Sequence, residues 1–388
     1  MKSSQSSSRQ PRPWFCCFLL IGLAGLFGPG RLLADQWQPA KTHVLIVGVL
    51  EWKADLTPFS KQRRKDKELR DRLIERGTPP ENITILLDSE ATLSNIRQAL
   101  DQTLQKANEG STLIVYYAGH GWQAGEDYCF ANYDVRLGPH GRESAWSMNE
   151  LAQRMDEGFR GERAFFWADC CYSGGMRVVV DKLASRNLAS FSLTSAATTN
   201  ASTGNWTFTQ SLIDGLAGEP LIDTNQDGQI TLAEWQVEVQ NAMHHLEGQE
   251  HGFHSAGVDD QLVIAPARGK VTAAPNAKYP LGSYVRAKRR YGRVVGRAGE
   301  QNQRYQVQFY NYTDKVVREF SESDLAPSTR ARSPEVARLE PDCQVEWQGG
   351  WYEAKILRQE NGRWLVRYIG YDESWDEWVG KDRIRLDK

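Results

Sequence analysis

Cysteine is scarce: the 388 residues contain six, and two of these, Cys16 and Cys17, fall in an apolar stretch near the start. The other four, Cys129, Cys170, Cys171 and Cys343, have neither the paired spacing of a zinc site nor that of a disulfide framework. Charge of one sign is also lacking, with a formal net charge of −2 at pH 7. That balance hides an asymmetry, since residues 268–388 carry 23 Lys and Arg against 17 Asp and Glu. A basic excess this dilute is too weak to imply a nucleic-acid partner, and none is expected. Long apolar runs are absent as well. The longest, Phe15–Phe27, follows Lys2, Arg9 and Arg12 and precedes the first acid, Asp35. It suits the apolar core of a secretory signal and falls short of the roughly twenty residues that a bilayer span needs. With Leu32-Leu33-Ala34 as a cleavage site, residues 1–34 are expected to be a signal peptide. The chain would then be exported, periplasmic or extracellular, with no stable membrane span. An uncleaved anchor is the alternative.

What the chain does have is buried strands that end in reactive residues. Ala164–Ala168 is apolar without alternation, the mark of a strand covered on both faces, and it runs into Asp169-Cys170-Cys171-Tyr172-Ser173-Gly174-Gly175. Thr112–Tyr117 is a second such strand, emptying into Ala118-Gly119-His120-Gly121. His43–Val49, Asn82–Leu87 and Phe191–Ala196 read as further strands. Helices are expected near 61–76 (capped by Ser60), from about Thr92 to before Gly110, and near 148–157. This alternation predicts an α/β fold, a mostly parallel sheet sandwiched by helices. A strand-end His and a strand-end Cys on neighbouring strands make a candidate general base and nucleophile. A free thiol is mostly protonated at neutral pH, so a nucleophilic Cys needs such a base. Adjacent strand residues face opposite ways, so only one of Cys170 and Cys171 can point at His120.

Tyr117-Ala118-Gly119-His120-Gly121 followed by Asp169-Cys170-Cys171-Tyr172-Ser173-Gly174 resembles the signature of the metacaspases and the prokaryotic caspase-like peptidases (orthocaspases). The likeness extends from about Lys41 to Ile264 and includes Phe130–Asp134 and Gly204–Leu212. One departure is Tyr172, where metacaspases commonly carry His. The resemblance implies a caspase-like peptidase domain over 41–266. In it Cys171 is the nucleophile, His120 the base, and Cys170 packing. Gly121 and Cys171 amides would form the oxyanion hole. Asp169, on the same side of its strand as Cys171, would sit in the primary specificity pocket and pair with a substrate Arg or Lys. Asp66 either joins it there or is a solvated residue on a heavily charged helix. Asp134 is expected to hold a turn. Met176–Ala189 reads as a loop in which such enzymes process themselves. The rival reading is a non-catalytic interaction or scaffold protein.

Residues 267–280 read as a linker, and beyond it the pattern turns all-β. Two small SH3-like barrels are expected, over 281–327 and 339–388, separated by the polar stretch Ser328–Arg338. The second resembles the Tudor, agenet and chromo-barrel group through Trp351–Ile356 and Tyr368–Val379. Their aromatics suit core filling better than a cage for a cationic ligand, and the ligand is unknown. His244, His245, His251 and His254 form no metal pattern and are expected at the surface. Finally, Asp223–Glu234 matches the twelve-residue EF-hand loop. Asp223, Asn225 and Asp227 would supply side-chain oxygens, and Gly228 the turn. Gln229 would offer its carbonyl, Thr231 would act through water, and Glu234 would close the site. The expected ion is Ca2+, held at about 10⁻⁴–10⁻³ M as in extracellular modules.

Overall fold

Residues that alternate between the two faces of each strand decide the layering of the first half. The computed structural model describes Met1 and residues 36–138, 141–272, 277–299, 302–311, 314–329, 342–347, 350–360, 362–368 and 377–386. The expected signal peptide and most of the second linker lie outside the described residues, as do residues 369–376 of the last aromatic motif. Among the described residues no helix is long and apolar enough to cross a membrane.

β1 (Thr42–Gly48) sends Leu45 and Val47 to one face and Val44 and Ile46 to the other, where they enter separate cores. α1 (Lys65–Glu75) leads to β2 (Ile83–Leu87) and α2 (Leu93–Lys106) to β3 (Thr112–Ala118); both strands flank β1 in parallel. A small antiparallel excursion follows, comprising β4 (Gly121–Ala124), β5 (Asp127–Phe130), the one-turn α3 (Gly141–Ser144) and β6 (Trp146–Ser147). α4 (Met148–Gly158) then enters β7 (Arg163–Asp169), and α5 (Arg177–Ala184) enters β8 (Ala189–Thr194). α6 (Thr207–Ala217), β9 (Gln229–Thr231) and α7 (Leu232–Ala242), the last prolonged by the π-turn Met243–Glu247, precede β10 (Gly252–Ala256) and β11 (Val263–Pro266). The main sheet has the order β10-β8-β7-β3-β1-β2, with only β10 antiparallel. Helices α2, α4 and α5 cover one face and α1, α6 and α7 the other. This is the expected helix-sandwiched sheet.

Two expectations in this half need correction. The first helix begins at Lys65 instead of 61, because the Arg64 side chain turns inward to Asp66 and Asp88 and its backbone stays extended. Met176–Ala189 is no loop. α5 occupies it, with Val179, Val180 and Leu183 in the core and Lys182 paired with Asp156 at 3.0 Å.

The remainder forms two barrels of one plan. The first comprises β12 (Tyr284–Ala287), β13 (Arg290–Ala298), β14 (Arg304–Asn311), β15 (Asp314–Phe320) and β16 (Leu325–Pro327). The second comprises β17 (Cys343–Trp347), β18 (Gly350–Glu360), β19 (Arg363–Tyr368), β20 (Glu377–Val379) and β21 (Ile384–Leu386). In each, the last strand pairs with the first, and the long second strand is bulged, at Val294/Gly296 and at Ile356/Arg358. Tyr279 and Tyr305 fill the first core, and Arg385 lies 3.6 Å from the centroid of the exposed Trp351 ring.

The first barrel is anchored on the α/β domain. Buried Arg293 donates to Glu238 of α7 at 2.7 Å and to the Leu221 carbonyl at 2.9 Å, and Lys315 pairs with Asp214 of α6. His245 stacks on Tyr284 with ring centroids 4.8 Å apart and hydrogen-bonds Ser328 at 2.9 Å. That histidine, expected at the surface, is therefore part of a domain contact.

Candidate active site

Register builds the site. Ala118 of β3 lies opposite Asp169 of β7, so Gly119-His120 and Cys170-Cys171 leave the sheet side by side at its carboxyl edge. The two loops touch through their backbones: a Cβ on Gly121 would stand 2.5 Å from the Cys171 carbonyl oxygen and 2.8 Å from Cys170 Sγ. Only glycine fits there.

His120 is held from three sides. Its ring lies between those of Trp52 and Phe59, each with a centroid separation of 4.5 Å. Tyr117 donates its hydroxyl to the His120 carbonyl at 2.8 Å. Nε2 stands 2.8 Å from the Thr57 carbonyl oxygen, which can only accept. The proton therefore sits on Nε2, and Nδ1 keeps a lone pair. Burial lowers the imidazole below its ordinary pKa, against the hydrogen bond to Thr57, so the ring is neutral at pH 7.

Cys171 is partly exposed, and its Sγ accepts the Ser202 amide at 3.3 Å. Burial pushes its thiol up, and the Ser202 amide opposes that. No hydrogen bond among the described residues joins His120 to Cys171. Such bonds often tighten only when substrate binds. Cys170 points the other way, 2 % exposed within the core under α2, α4 and α5, and burial raises its thiol much further. The turn after Cys171 is forced: Tyr172 has a left-handed φ of 55° and donates its N–H to the Asn200 carbonyl at 3.0 Å. A Cβ on Gly174 would stand 2.6 Å from the backbone at Ala197 and Thr198. The segment after β8 is thus knitted to the cysteine loop.

Asp169 faces the α1–α6 side. Thr209 of α6 donates to its Oδ2 at 2.6 Å and stands 2.7 Å from the Tyr116 hydroxyl. Burial raises Asp169 to about 7, against hydrogen bonds from Thr209 and Ser195. Asp66 is fully buried, and its own chain compensates its charge. Arg64 grips it through Nε at 2.8 Å and Nη2 at 2.6 Å, and reaches Asp88 at 2.7 Å and the Gly48 carbonyl at 3.0 Å. It is therefore not the solvated residue that a charged helix suggested. Asp134, expected to hold a turn, accepts Asn132 Nδ2 at 2.7 Å within its own turn and also the Leu93 N–H at 2.8 Å at the start of α2. Sequence reasoning missed Arg64, Thr57, Ser202 and Thr209. Only Arg64 left a signal, two positions before Asp66. Thr57 and Ser202 act through backbone groups, which no side-chain type reveals.

The calcium-type loop closes on itself. Asp223 accepts the N–H of Asp227 at 3.2 Å and of Gly228 at 2.9 Å, with Gly228 at φ +89°. Asn225 accepts the Asp227 N–H at 2.8 Å, and Asp227 that of Gln229 at 2.9 Å. Glu234 forms a capping box with Thr231 on α7 and also accepts the Thr224 N–H at 2.9 Å. Gln229–Thr231 pairs antiparallel with β11. The donors are all oxygen and suit a hard cation. Yet among the described residues no three acidic, His or Cys side chains converge on one point. The carboxylates satisfy amides instead.

A family model described as the Caspase domain matches residues 42–261, more than half of the chain. A second, described as the RNA binding activity-knot of a chromodomain, matches residues 340–386. Two relatives from Arabidopsis thaliana are similar: Metacaspase-4, 31% identical over 120 residues, and Metacaspase-7, 30% identical over 115. These alignments cover 27% and 26% of this chain and 27% of each relative, so the chain matches about a quarter of their length. Among solved structures, protein GSU0716 from Geobacter sulfurreducens has a TM-score of 0.41 at 12% identity, covering 59% of this chain and all of that one. The Drosophila initiator caspase Dronc has a TM-score of 0.38 at 12% identity, covering 60% and 85%. The Caspase-domain match begins at β1 and spans both the His120 and the Cys171 loops, and the chain belongs to the caspase-domain peptidase family.

Proposed function

We propose that the chain is an exported cysteine endopeptidase that cleaves proteins or peptides after Arg or Lys, with Cys171 as nucleophile and His120 as base. The observation that carries this is the β3–β7 register, which brings the two loops into backbone contact, while the Thr57 carbonyl on Nε2 leaves His120 Nδ1 with its lone pair. In the reaction Nδ1 takes the thiol proton, and the sulfur attacks the scissile carbonyl carbon. The N–H groups of Gly121 and Cys171 hold the oxyanion. The intermediate collapses, the amine leaves with the proton from His120, and an acyl-enzyme thioester remains. His120 then deprotonates water, which releases the acid and restores the thiol. Asp169 reads the substrate cation. Asp66 contributes only if Arg64 lets go of it. Cleavage of Arg, Lys and Asp peptides by the purified chain, beside Cys171→Ala, tests the reading. No cleavage by the unmodified chain would favour the scaffold alternative, and activity that survives the substitution would move the nucleophile away from Cys171. The ligand of the barrels is a separate question. The second barrel's family description names RNA, and retention of labelled RNA by the purified chain would overturn the expectation of no nucleic-acid partner.

Calcium is part of the proposal. Asp223, Asn225, Asp227, Gln229, Thr231 and Glu234 would hold it, once Glu234 turns from the amides it now caps. Bound to the folded state alone, the ion would stabilise the loop between α6 and α7. Millimolar Ca2+ is expected to raise the melting temperature and the peptidase rate. Glu234→Gln preserves the helix cap and should abolish both effects. A melt indifferent to Ca2+ and chelator would end the proposal, and a shifted melt with unchanged rate would leave calcium as a structural ion.

Self-processing is proposed in a narrower form. Within α5 the bonds after Arg177 and Lys182 are helical, and the exposed Asn187 (φ 57°) leaves the bond after Arg186 in a turn. Mass spectrometry of active enzyme is expected to show cleavage after Arg186 alone. A single intact band would end this part of the proposal.

A further inference from the structure

Residues 200–206, Asn-Ala-Ser-Thr-Gly-Asn-Trp, form no helix or strand, yet they present the Ser202 amide to the Cys171 sulfur at 3.3 Å. Local structure alone would not hold a peptide N–H so placed. The restraint comes from the π-turn at the end of α7 and the residues just beyond it. Glu247 accepts hydrogen bonds from Thr203 Oγ1 at 2.9 Å, from Asn205 Nδ2 at 2.8 Å and from the Thr207 hydroxyl. Gln249 uses both ends of its amide. Its Oε1 accepts the Thr203 N–H at 3.0 Å, while Nε2 donates to the Ser195 carbonyl at 2.7 Å and to Ser202 Oγ at 3.3 Å. Ser202 Oγ donates in turn to Ser195 Oγ at 2.9 Å. The residue that presents this amide and the chain just after it are thus pinned by these two side chains.

We propose that Glu247 and Gln249 are positioning residues that hold the Ser202 amide on the Cys171 sulfur and so stabilise the thiolate that attacks substrate. This rests on the reading of Cys171 as nucleophile. The Ser202 amide is the larger of two backbone hydrogen bonds that work against burial at this thiol, the other coming from the N–H of Cys171 itself. The titratable groups around the thiol are Asp169 and the oppositely directed Cys170 on its own segment, Tyr172 beyond it, Tyr117 of β3 and Tyr352 of the second barrel, with His120 on the loop in backbone contact. With His120 neutral, none of these is a cation at pH 7. Until His120 takes its proton, backbone amides, that of Ser202 foremost, are what favours the charged sulfur.

The test is alkylation of the full chain by iodoacetamide as a function of pH, followed at the Cys171 peptide by mass spectrometry. Gln249→Ala is expected to raise the titration midpoint of Cys171 by about one pH unit, the shift given by one hydrogen bond to an ionised group. The rate at pH 7 should fall about tenfold, with kcat reduced more than KM is raised. Glu247→Gln should act in the same direction and Gln249→Glu, which keeps the acceptor for Thr203, less. The last two are read if Gln249→Ala does not fold, and equal melting temperatures mark the variants fit for comparison. An unchanged midpoint and rate in folded variants would overturn the inference. Cleavage that survives Cys171→Ala would instead overturn the nucleophile, and the alkylation profile would still report on the amide.

Discussion

Cys171→Ala is expected to abolish peptide cleavage, by about 10⁴-fold or more on the scale set by loss of other covalent nucleophiles. Cys170→Ala should keep most of the activity. The two thiols are neighbours in sequence, but their surroundings differ. Cys171 is partly exposed and bonded to Ser202, while Cys170 is 2 % exposed in the core against the Gly121 backbone. Truncating Cys170 leaves a small void and should cost about 1 kcal/mol of stability. Initial rates on an Arg peptide, with melting curves beside them, decide the matter. The opposite ranking would move the nucleophile to Cys170 and require the strand end to be rotated.

Asp169→Asn is expected to lower kcat/KM for Arg peptides by roughly 10²- to 10³-fold, the effect of leaving a buried charge unpaired. Cleavage of a peptide with citrulline in place of Arg should hardly change. In the wild type, Arg and Lys peptides should be cut far faster than Asp peptides. Because burial raises Asp169 to about 7, the pocket is uncharged in acid. The kcat/KM for Arg peptides should therefore climb through a limb near pH 7 that the citrulline peptide lacks. The same shift affects stability. The fold favours the neutral carboxyl, so its contribution is full below the unfolded value of 3.8 and is lost as pH rises through about 7. Asn removes that cost. Asp169→Asn should raise the melting temperature at pH 8.5 and leave it nearly unchanged at pH 4, by at most about 4 kcal/mol in stability terms. Equal rates on Arg and Asp peptides would remove the pocket role. A melt insensitive to the substitution at pH 8.5 would mean that solvent reaches the carboxylate.

The strands, their parallel pairing and the chemistry at their ends follow from the order of residues along the chain. Ala164–Ala168 and Thr112–Tyr117 are short, apolar without alternation and bounded by glycine turns, the pattern of strands buried inside a two-faced sheet. What leaves those strands is written in the next few residues, so the His120 and Cys171 loops and the tight glycines beside them were legible locally. The EF-hand spacing was legible for the same reason. Tertiary structure alone decided how each group is charged and held. The Thr57 carbonyl on His120 and the Ser202 amide on Cys171 come from remote backbone groups, and a residue's type does not say where its peptide will lie. The expected loop at 176–189 became α5 because Val179, Val180 and Leu183 found a core to cover. Burial by distant segments raised Asp169 and lowered His120, since desolvation depends on everything packed around a group and not on its neighbours in the chain.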